Sequence, residues 1–375
     1  MSDTADEDPL RRALAPWLEP GRAGGTILLA VSGGPDSTAL MQAAAQAGAS
    51  APIHVATVDH RLRPGSAEEA ATVAAEAGRL GMPHHLLVRD GAPFESGIQS
   101  AARDARYALL ASCARGIGAG LVLTGHTRDD QAETVLMRLT AGSGPGGLAG
   151  MRRERVLAPG IRLGRPFLDL AKADLVAWCE ARGIAYLSDP SNANPRFARA
   201  RLRGLLPRLA RDGLTPARLA RLAERAARDE DALTATARTA FETALHAESP
   251  TLCLDGQAVA ALPDAVALRV LALAMESAGA AGPDRLERLE RLAFDAILPA
   301  LREGRAVRRT LRSLVVEATR AGKIVLAPAP PRRTLTSDAA GAPELLGKGA
   351  ASTYIGAERR LERPSTGRAP VLPKD

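Results

Sequence analysis

Between residues 26 and 139, short apolar runs alternate with longer stretches in which apolar residues recur at helical spacing. The runs Ile27–Val31, Ile53–Val58, His84–Val88 and Leu121–Leu123 read as strands, and helices are expected to begin at Asp36, Ser66, Ile98 and Asp130. A strand and a helix taken in turn four times is the pattern of an α/β unit, a parallel sheet with helices on both faces. In that architecture ligands lie at the carboxyl ends of the strands. The polar segments that follow the strands, Ser32–Ser37, Asp59–Arg63 and Gly125–Glu133, are therefore where chemistry is expected.

Past Gly142 the pattern changes. A glycine-rich turn, GSGPGGLAGM, leads into a basic patch holding Arg152, Arg153, Arg155, Arg162 and Arg165, then a short helix over Lys172–Arg182 and the loop SDPSNANPRF. Helical spacing of Ala and Leu returns over Arg199–Arg211, Pro216–His246 and Pro263–Arg302, so a smaller, mainly helical domain is expected to follow the sheet. Residues Arg308–Leu326 read as a small strand pair joined near Gly322. From Ala327 the chain is rich in Pro, Gly, Ala and Ser without sustained periodicity, the composition of a linker or disordered end. The expected division is thus 1–212, 213–326 and a tail over 327–375.

Length and charge narrow the class. With 375 residues, 46% of them hydrophobic, the chain has room for two or three ordinary globular domains. No apolar stretch approaches the roughly 20 residues that span a bilayer, and the start MSDTADEDP lacks the basic-then-apolar order of a signal peptide, so a cytoplasmic protein with no membrane partner is expected. Cys113, Cys179 and Cys253 stand apart, without a Cys-x-x-Cys pair, and read as buried small hydrophobes. The formal charge is +7, and lysine occurs only at 172, 323, 348 and 374, so the positive charge is carried by arginine. Arginine binds phosphate bidentately and stacks on bases, which is compatible with an RNA partner; a GC-rich genome would produce the same bias.

Candidate chemistry begins at the first strand's exit, Ser32-Gly33-Gly34-Pro35-Asp36-Ser37. Gly33 and Gly34 permit a tight turn, Pro35 suits the first position of a helix, and Asp36 is expected at an exposed loop tip in its first turn. Backbone N–H groups with the Ser32 and Ser37 hydroxyls would make an anion-binding nest. The ordinary phosphate-binding loop is excluded, because it ends in Gly-Lys-Ser/Thr and the first lysine here is Lys172. His60, after the second strand, could contact a phosphate or a base, or be a packed bystander. Asp130 and Glu133 are three apart, so a helix would place both carboxylates on one face, where they could grip Mg²⁺ or a cationic substrate, or serve as helix-start acids. Arg103 and Arg106, also three apart, could bind a carboxylate or phosphate, or form a solvated face.

SGGPDS resembles the pyrophosphate-binding loop of the PP-loop ATPases, whose fold is that of the adenine nucleotide α-hydrolases and whose members cleave ATP between the α and β phosphates. The segment GHTRDDQAETVLMRLTAGSGPGGLAGM, followed by RPFLDLAKADLVAWCEARGIAYLSDPSNANPRFARARLRGLLPRL, looks like the tRNA(Ile)-lysidine synthetase family, and with SGGPDS the likeness covers residues 24–212. That resemblance implies ATP with Mg²⁺ as cofactors, and free L-lysine and a tRNA(Ile) with a CAU anticodon as partners. ATP would adenylate the wobble cytidine and lysine would displace AMP to give lysidine. It further implies that Ser32, Gly33, Gly34, Pro35, Asp36 and Ser37, with His60, bind ATP. Asp130, Glu133 and Arg106 would hold lysine and, with Asp36, carry catalysis, while Arg196, Arg199, Arg201 and Arg203 would meet tRNA. The metal ligands, the oligomeric state and the proton acceptor for the lysine amine stay open. Thr127 and Ala200 depart from the family's usual residues at their positions. A tRNA thiolase of the same superfamily, a small-molecule amidating enzyme and a non-catalytic ATP-binding module are the alternatives; the isolated cysteines weigh against the first and the acidic pair against the last.

Overall fold

The computed structural model describes residues 8–22, 24–59, 61, 65–89, 98–187, 198–246, 251–281 and 286–330. Contacts divide the chain after Ala329, and the architecture below is that of the unit ending there. Its first part runs α1 (Pro9–Leu18), β1 (Thr26–Ala30), α2 (Pro35–Ala47), β2 (Ile53–Asp59), α3 (Ser66–Arg79), β3 (His84–Val88), α4 (Ile98–Gly116), β4 (Ala119–Thr124), α5 (Arg128–Thr140), α6 (Pro145–Leu148), β5 (Glu154–Ala158), β6 (Ile161–Gly164), α7 (Lys172–Glu180) and α8 (Ala198–Arg211).

The six strands form one sheet in the order β3-β2-β1-β4-β6-β5. All neighbours are parallel except β5, which returns antiparallel on β6 as an edge strand. Alternate residues of β1 explain the helices on both sides. Ile27, Leu29 and Val31 pack with Leu14, Trp17, Leu40, Leu175 and Trp178 of α1, α2 and α7. Leu28 and Ala30 face the other way, against Leu110 and Ala114 of α4. A strand buried on both faces must be apolar at every position, which is why β1 reads as an unbroken hydrophobic run. β1 lies between β2 and β4, so the chain leaves it in one direction and returns on its other side, the place where such sheets open a crevice for ligands.

Helix α1 and the β5–β6 pair were not anticipated from the sequence. Asp8 caps α1 through the amides of Leu10 and Arg11 and also accepts from Trp178 Nε1 and Arg182 Nη2, fastening α1 to α7. The β5–β6 pair falls inside what read as a basic patch, because Glu154, Arg155 and Arg162 put charge on an edge ribbon.

The second part holds α9 (Pro216–Ala244), β7 (Leu245–His246), β8 (Leu252–Asp255), α10 (Gly256–Ala260), α11 (Asp264–Ser277), α12 (Leu286–Leu292), α13 (Leu298–Arg302), β9 (Val307–Leu311), β10 (Leu314–Ala318) and β11 (Lys323–Pro328), with one π-helical turn, Ala293–Ile297, before α13. Where the sequence suggested one strand pair, five strands form an antiparallel sheet in the order β7-β8-β11-β10-β9. The β9–β10 turn is Arg312-Ser313, both at positive φ, and so lacks the Asn-Gly signature of a two-residue hairpin. Strand β11 ends at Pro328, inside the stretch whose composition read as tail. Helix α9 serves two cores: Leu219 and Ala223 pack on α5 and α8, while Ala237 and Ala244 join the apolar cluster of α11, α13 and the second sheet. Among the described residues no helix is long and apolar enough to cross a membrane.

The exits of β1 and β4 meet at Gly125, where an added Cβ would lie 2.6 Å from the Asp36 carbonyl oxygen and 2.8 Å from its carbon. Both are backbone atoms and cannot swing aside. Gly125→Ala is therefore expected to push the two loops apart, destabilising the protein by about 1–3 kcal/mol, as overpacking does, and weakening the ATP binding that the resemblance implies; thermal melts with and without ATP check both.

Candidate functional site

The loop leaving β1 is held from inside. Ser37 Oγ accepts from Ser32 N at 3.1 Å, donates to the Gly34 carbonyl at 3.1 Å and lies 3.2 Å from Ser32 Oγ; Thr38 Oγ1 donates to the Gly33 carbonyl at 3.0 Å. Gly33 sits at φ +86°, and an added Cβ would lie 2.5 Å from Leu187 Cδ1, so both conformation and space demand glycine. Leu187 N donates to the Gly33 carbonyl at 2.8 Å, tying the end of the sheet domain to the loop. Gly34 caps α2 without a side chain, and Pro35 occupies the first turn. The N–H groups there are not taken by a cap side chain and suit an anion.

Asp36 is not at an exposed tip: its side chain is 19% exposed and accepts from Lys172 Nζ at 2.5 Å. Lys172 is the first residue of α7, and its backbone N–H donates to Asp129 Oδ2 at 2.7 Å. One lysine thus joins the loops after β1 and β4. The sequence lacks a lysine in the glycine loop, and the fold brings one from 136 residues away. Sequence reasoning missed Lys172; the available signal was that it is the first of only four lysines in a chain whose cations are nearly all arginine. Burial raises the Asp36 pKa, opposed by Lys172. Its Oδ1 is buried without a hydrogen-bond partner among the described residues. A carboxylate oxygen in that state, beside an anion-binding loop, fits a hard divalent cation such as Mg²⁺. Among the described residues no group of three or more His, Cys, Asp or Glu side chains forms a metal cage.

Asp130 and Glu133 share one face of α5, as their spacing requires. Asp130 Oδ2 accepts from Thr127 N at 2.9 Å and Thr127 Oγ1 at 3.0 Å, so Thr127 has a definite task at the helix start. Glu133 is 2% exposed. Both carboxylates are met by α8: Arg199 Nη2 lies 2.8 Å from Asp130 Oδ1, Arg199 Nε lies 2.5 Å from Glu133 Oε2, and Arg203 Nε lies 2.6 Å from Glu133 Oε1. The Asp130 pKa is lowered despite burial, with Arg199 the largest of the lowering influences. Two arginines expected to face tRNA therefore neutralise the acidic pair here. Arg201, on the same helix, is exposed.

Arg106 is half-buried on α4, feels Asp130 and Arg199 electrostatically, and has its pKa lowered chiefly by burial. Next to it, Tyr107 has the Arg103 guanidinium 5.2 Å and the Arg155 guanidinium 4.8 Å from its ring centroid. Burial raises the phenol's pKa, but Arg103, Arg165 and Arg106 together lower it. Arg165 is 2% exposed and donates to the Arg152 carbonyl at 2.5 Å. His126, 2.8 Å from Thr124 Oγ1, is pushed down to about 3 mainly by burial, so it is a neutral imidazole in ordinary buffers. The site is thus acidic on α5 and basic on α4, on β5 and at Arg165 just after β6. His60 and Arg196 lie outside the described residues; Arg61, beside the former, stands at φ +51° with its N–H on Asp59 Oδ1 at 2.8 Å.

Residues 6–209 match the PP-loop domain family. The chain is 56% identical over 340 residues to the tRNA(Ile)-lysidine synthase of a Methylobacterium species, covering 89% of this chain and 98% of that one. It is 53% identical to the enzyme of the same name from Methylobacterium nodulans, covering 88% and 97%, and 45% identical to that from Rhodopseudomonas palustris, covering 86% and 95%. A glycine loop set against a paired-acid helix, with this likeness running through both parts of the unit, shows that the chain belongs to the tRNA(Ile)-lysidine synthases of the PP-loop family.

Proposed function

We propose that the protein ligates free L-lysine to carbon 2 of the wobble cytidine of a CAU-anticodon tRNA(Ile), using ATP and Mg²⁺ in the cytoplasm. The observation that carries this reading is the contact at Gly125, which sets the anion loop of α2 directly against the loop that leads to Asp130 and Glu133. A triphosphate and a cationic amino acid then lie either side of one base.

In the first half-reaction the cytidine 2-keto oxygen attacks the α-phosphorus, the bond to the bridging oxygen breaks, and pyrophosphate leaves. Ser32–Ser37 hold the phosphates, and Lys172 faces the charge that develops on the leaving group. Asp36, with its unpartnered oxygen, is the residue that would hold Mg²⁺, which supplies charge neutralisation on the phosphates. In the second half-reaction a lysine amine, having lost its proton, attacks carbon 2. The bond from carbon 2 to oxygen breaks, and AMP departs with that oxygen. Asp130 and Glu133 hold lysine's remaining ammonium group, and Arg106 its carboxylate. The exposed arginines Arg201 and Arg208 on α8 face tRNA phosphates. Incubation with ATP, labelled lysine and CAU-anticodon tRNA tests the whole reading: label enters the tRNA, and incorporation of no lysine would overturn it.

The half-reactions separate the roles. Glu133→Gln removes a charge-assisted contact worth about 1.5–3 kcal/mol, so the lysine requirement is expected to rise roughly 10- to 100-fold while tRNA-dependent adenylation persists. A metal role for Glu133 forecasts the reverse, with adenylation lost first and restored by Mg²⁺. Asp36→Asn is expected to lower adenylation at least about 100-fold, the scale of losing one preorganised charged group, with little change in melting temperature because the Lys172 head group can be solvated. Quench-flow of AMP transfer, beside a thermal melt, measures both.

A further inference from the structure

The acidic pair proposed to receive lysine already has cations in it. Glu133 is 2% exposed and shares α5 with Asp130, and ionised carboxylates so placed require a compensating charge. Arg199 and Arg203 supply that charge through three contacts of 2.5–2.8 Å. An entering ammonium group must therefore replace guanidinium rather than occupy an open site. The two arginines are four apart on α8 and share a face, and their side chains are 31% and 41% exposed, so phosphate oxygens can reach them from outside. Arg201 and Arg208 are exposed on the same helix. One helix thus carries both the cations that close the acidic pair and further arginines on its exposed surface.

We propose that α8 is a latch. In the free protein Arg199 and Arg203 occupy the cation site of Asp130 and Glu133, and the tRNA backbone draws them off, so lysine binds tightly only after tRNA. This rests on the reading of the acidic pair as the lysine site. In the exchange the carboxylates pass from guanidinium to ammonium while guanidinium passes from carboxylate to phosphate. Linkage makes the effect reciprocal, so lysine strengthens tRNA binding by the factor with which tRNA strengthens lysine binding.

The test is calorimetric titration of lysine into the full chain without ATP, alone and saturated with unmodified CAU-anticodon tRNA. In the wild type, tRNA is expected to tighten lysine binding at least about tenfold. Arg203→Gln is expected to tighten tRNA-free lysine binding about tenfold, the scale of one charge-assisted contact, and to shrink the gain from tRNA; Arg203→Lys, which keeps the cation, behaves as wild type. Equal lysine affinity with and without tRNA in the wild type overturns the latch, and needs no variant. So does an Arg203→Gln protein, folded by circular dichroism, whose tRNA-free affinity is unchanged. Glu133→Gln distinguishes the two failures: if it binds lysine like the wild type in the presence of tRNA, the acidic pair is not the lysine site. If it loses lysine while Arg203→Gln changes nothing, the lysine site stands and the latch alone falls.

Discussion

Neutralising buried carboxylates is the constraint on which this site is built. Asp36, Asp130 and Glu133 are each largely withdrawn from water, and each is met by a cation from a distant part of the chain: Lys172 for the first, Arg199 and Arg203 for the others. Solvation lost on folding has to be replaced by fixed charges, and removing the cation of such a pair, which leaves a buried carboxylate uncompensated, is far more damaging than the pair itself is stabilising. The arrangement therefore says more about specificity than about stability. It sets carboxylates against fixed cations beside a loop made for phosphate, and it reserves positions that only cations can fill.

The same ionic economy fixes the second part of the unit to the first. Arg152 of the loop before β5 reaches Asp231 on α9 through two contacts, which join the two parts, while within the second part Arg269 of α11 is paired with Glu230 one residue earlier on α9. These charged contacts fall between the apolar footings at Leu219 and Ala223 and those at Ala237 and Ala244. A long amphipathic helix with a core at each end and ion pairs between acts as a strut, transmitting the orientation of one core to the other.

How far the sequence discloses this depends on the range of each interaction. Strands β1 to β4 and the helices between them follow from local alternation, and the Asp130–Glu133 pair follows from helical spacing, because both signals lie within a few residues. The glycine loop is legible for the same reason, since Gly33 and Pro35 impose their conformations locally. Lys172 is silent because nothing near residue 172 shows that its side chain will reach residue 36; only its rarity in an arginine chain marks it. The pairing of Arg199 and Arg203 with Glu133 spans 66 and 70 residues and leaves no periodic trace, so arginines that the resemblance assigned to tRNA are found against the acidic pair. Strands β5 and β7 are edge elements carrying charge or little length, β8 has only four residues, and α1 is a short helix interrupted by Pro16.

The separation between the glycine loop and its fasteners has a consequence for biosynthesis. Residues 32 to 37 emerge from the ribosome early, yet the lysine that answers Asp36, the Leu187 amide that holds Gly33 and the arginines that cover Glu133 are translated 136 or more residues after the first of those acids or much later in the chain than their partners. Strand β1 itself cannot be flanked on both sides until β4 has been made. A nascent chain therefore exposes its phosphate loop before the cation that meets Asp36 has emerged. Ribosome-bound chains with residue 172 inside the tunnel and with it outside thus differ in whether Asp36 has its cation, although the glycine loop is complete in both.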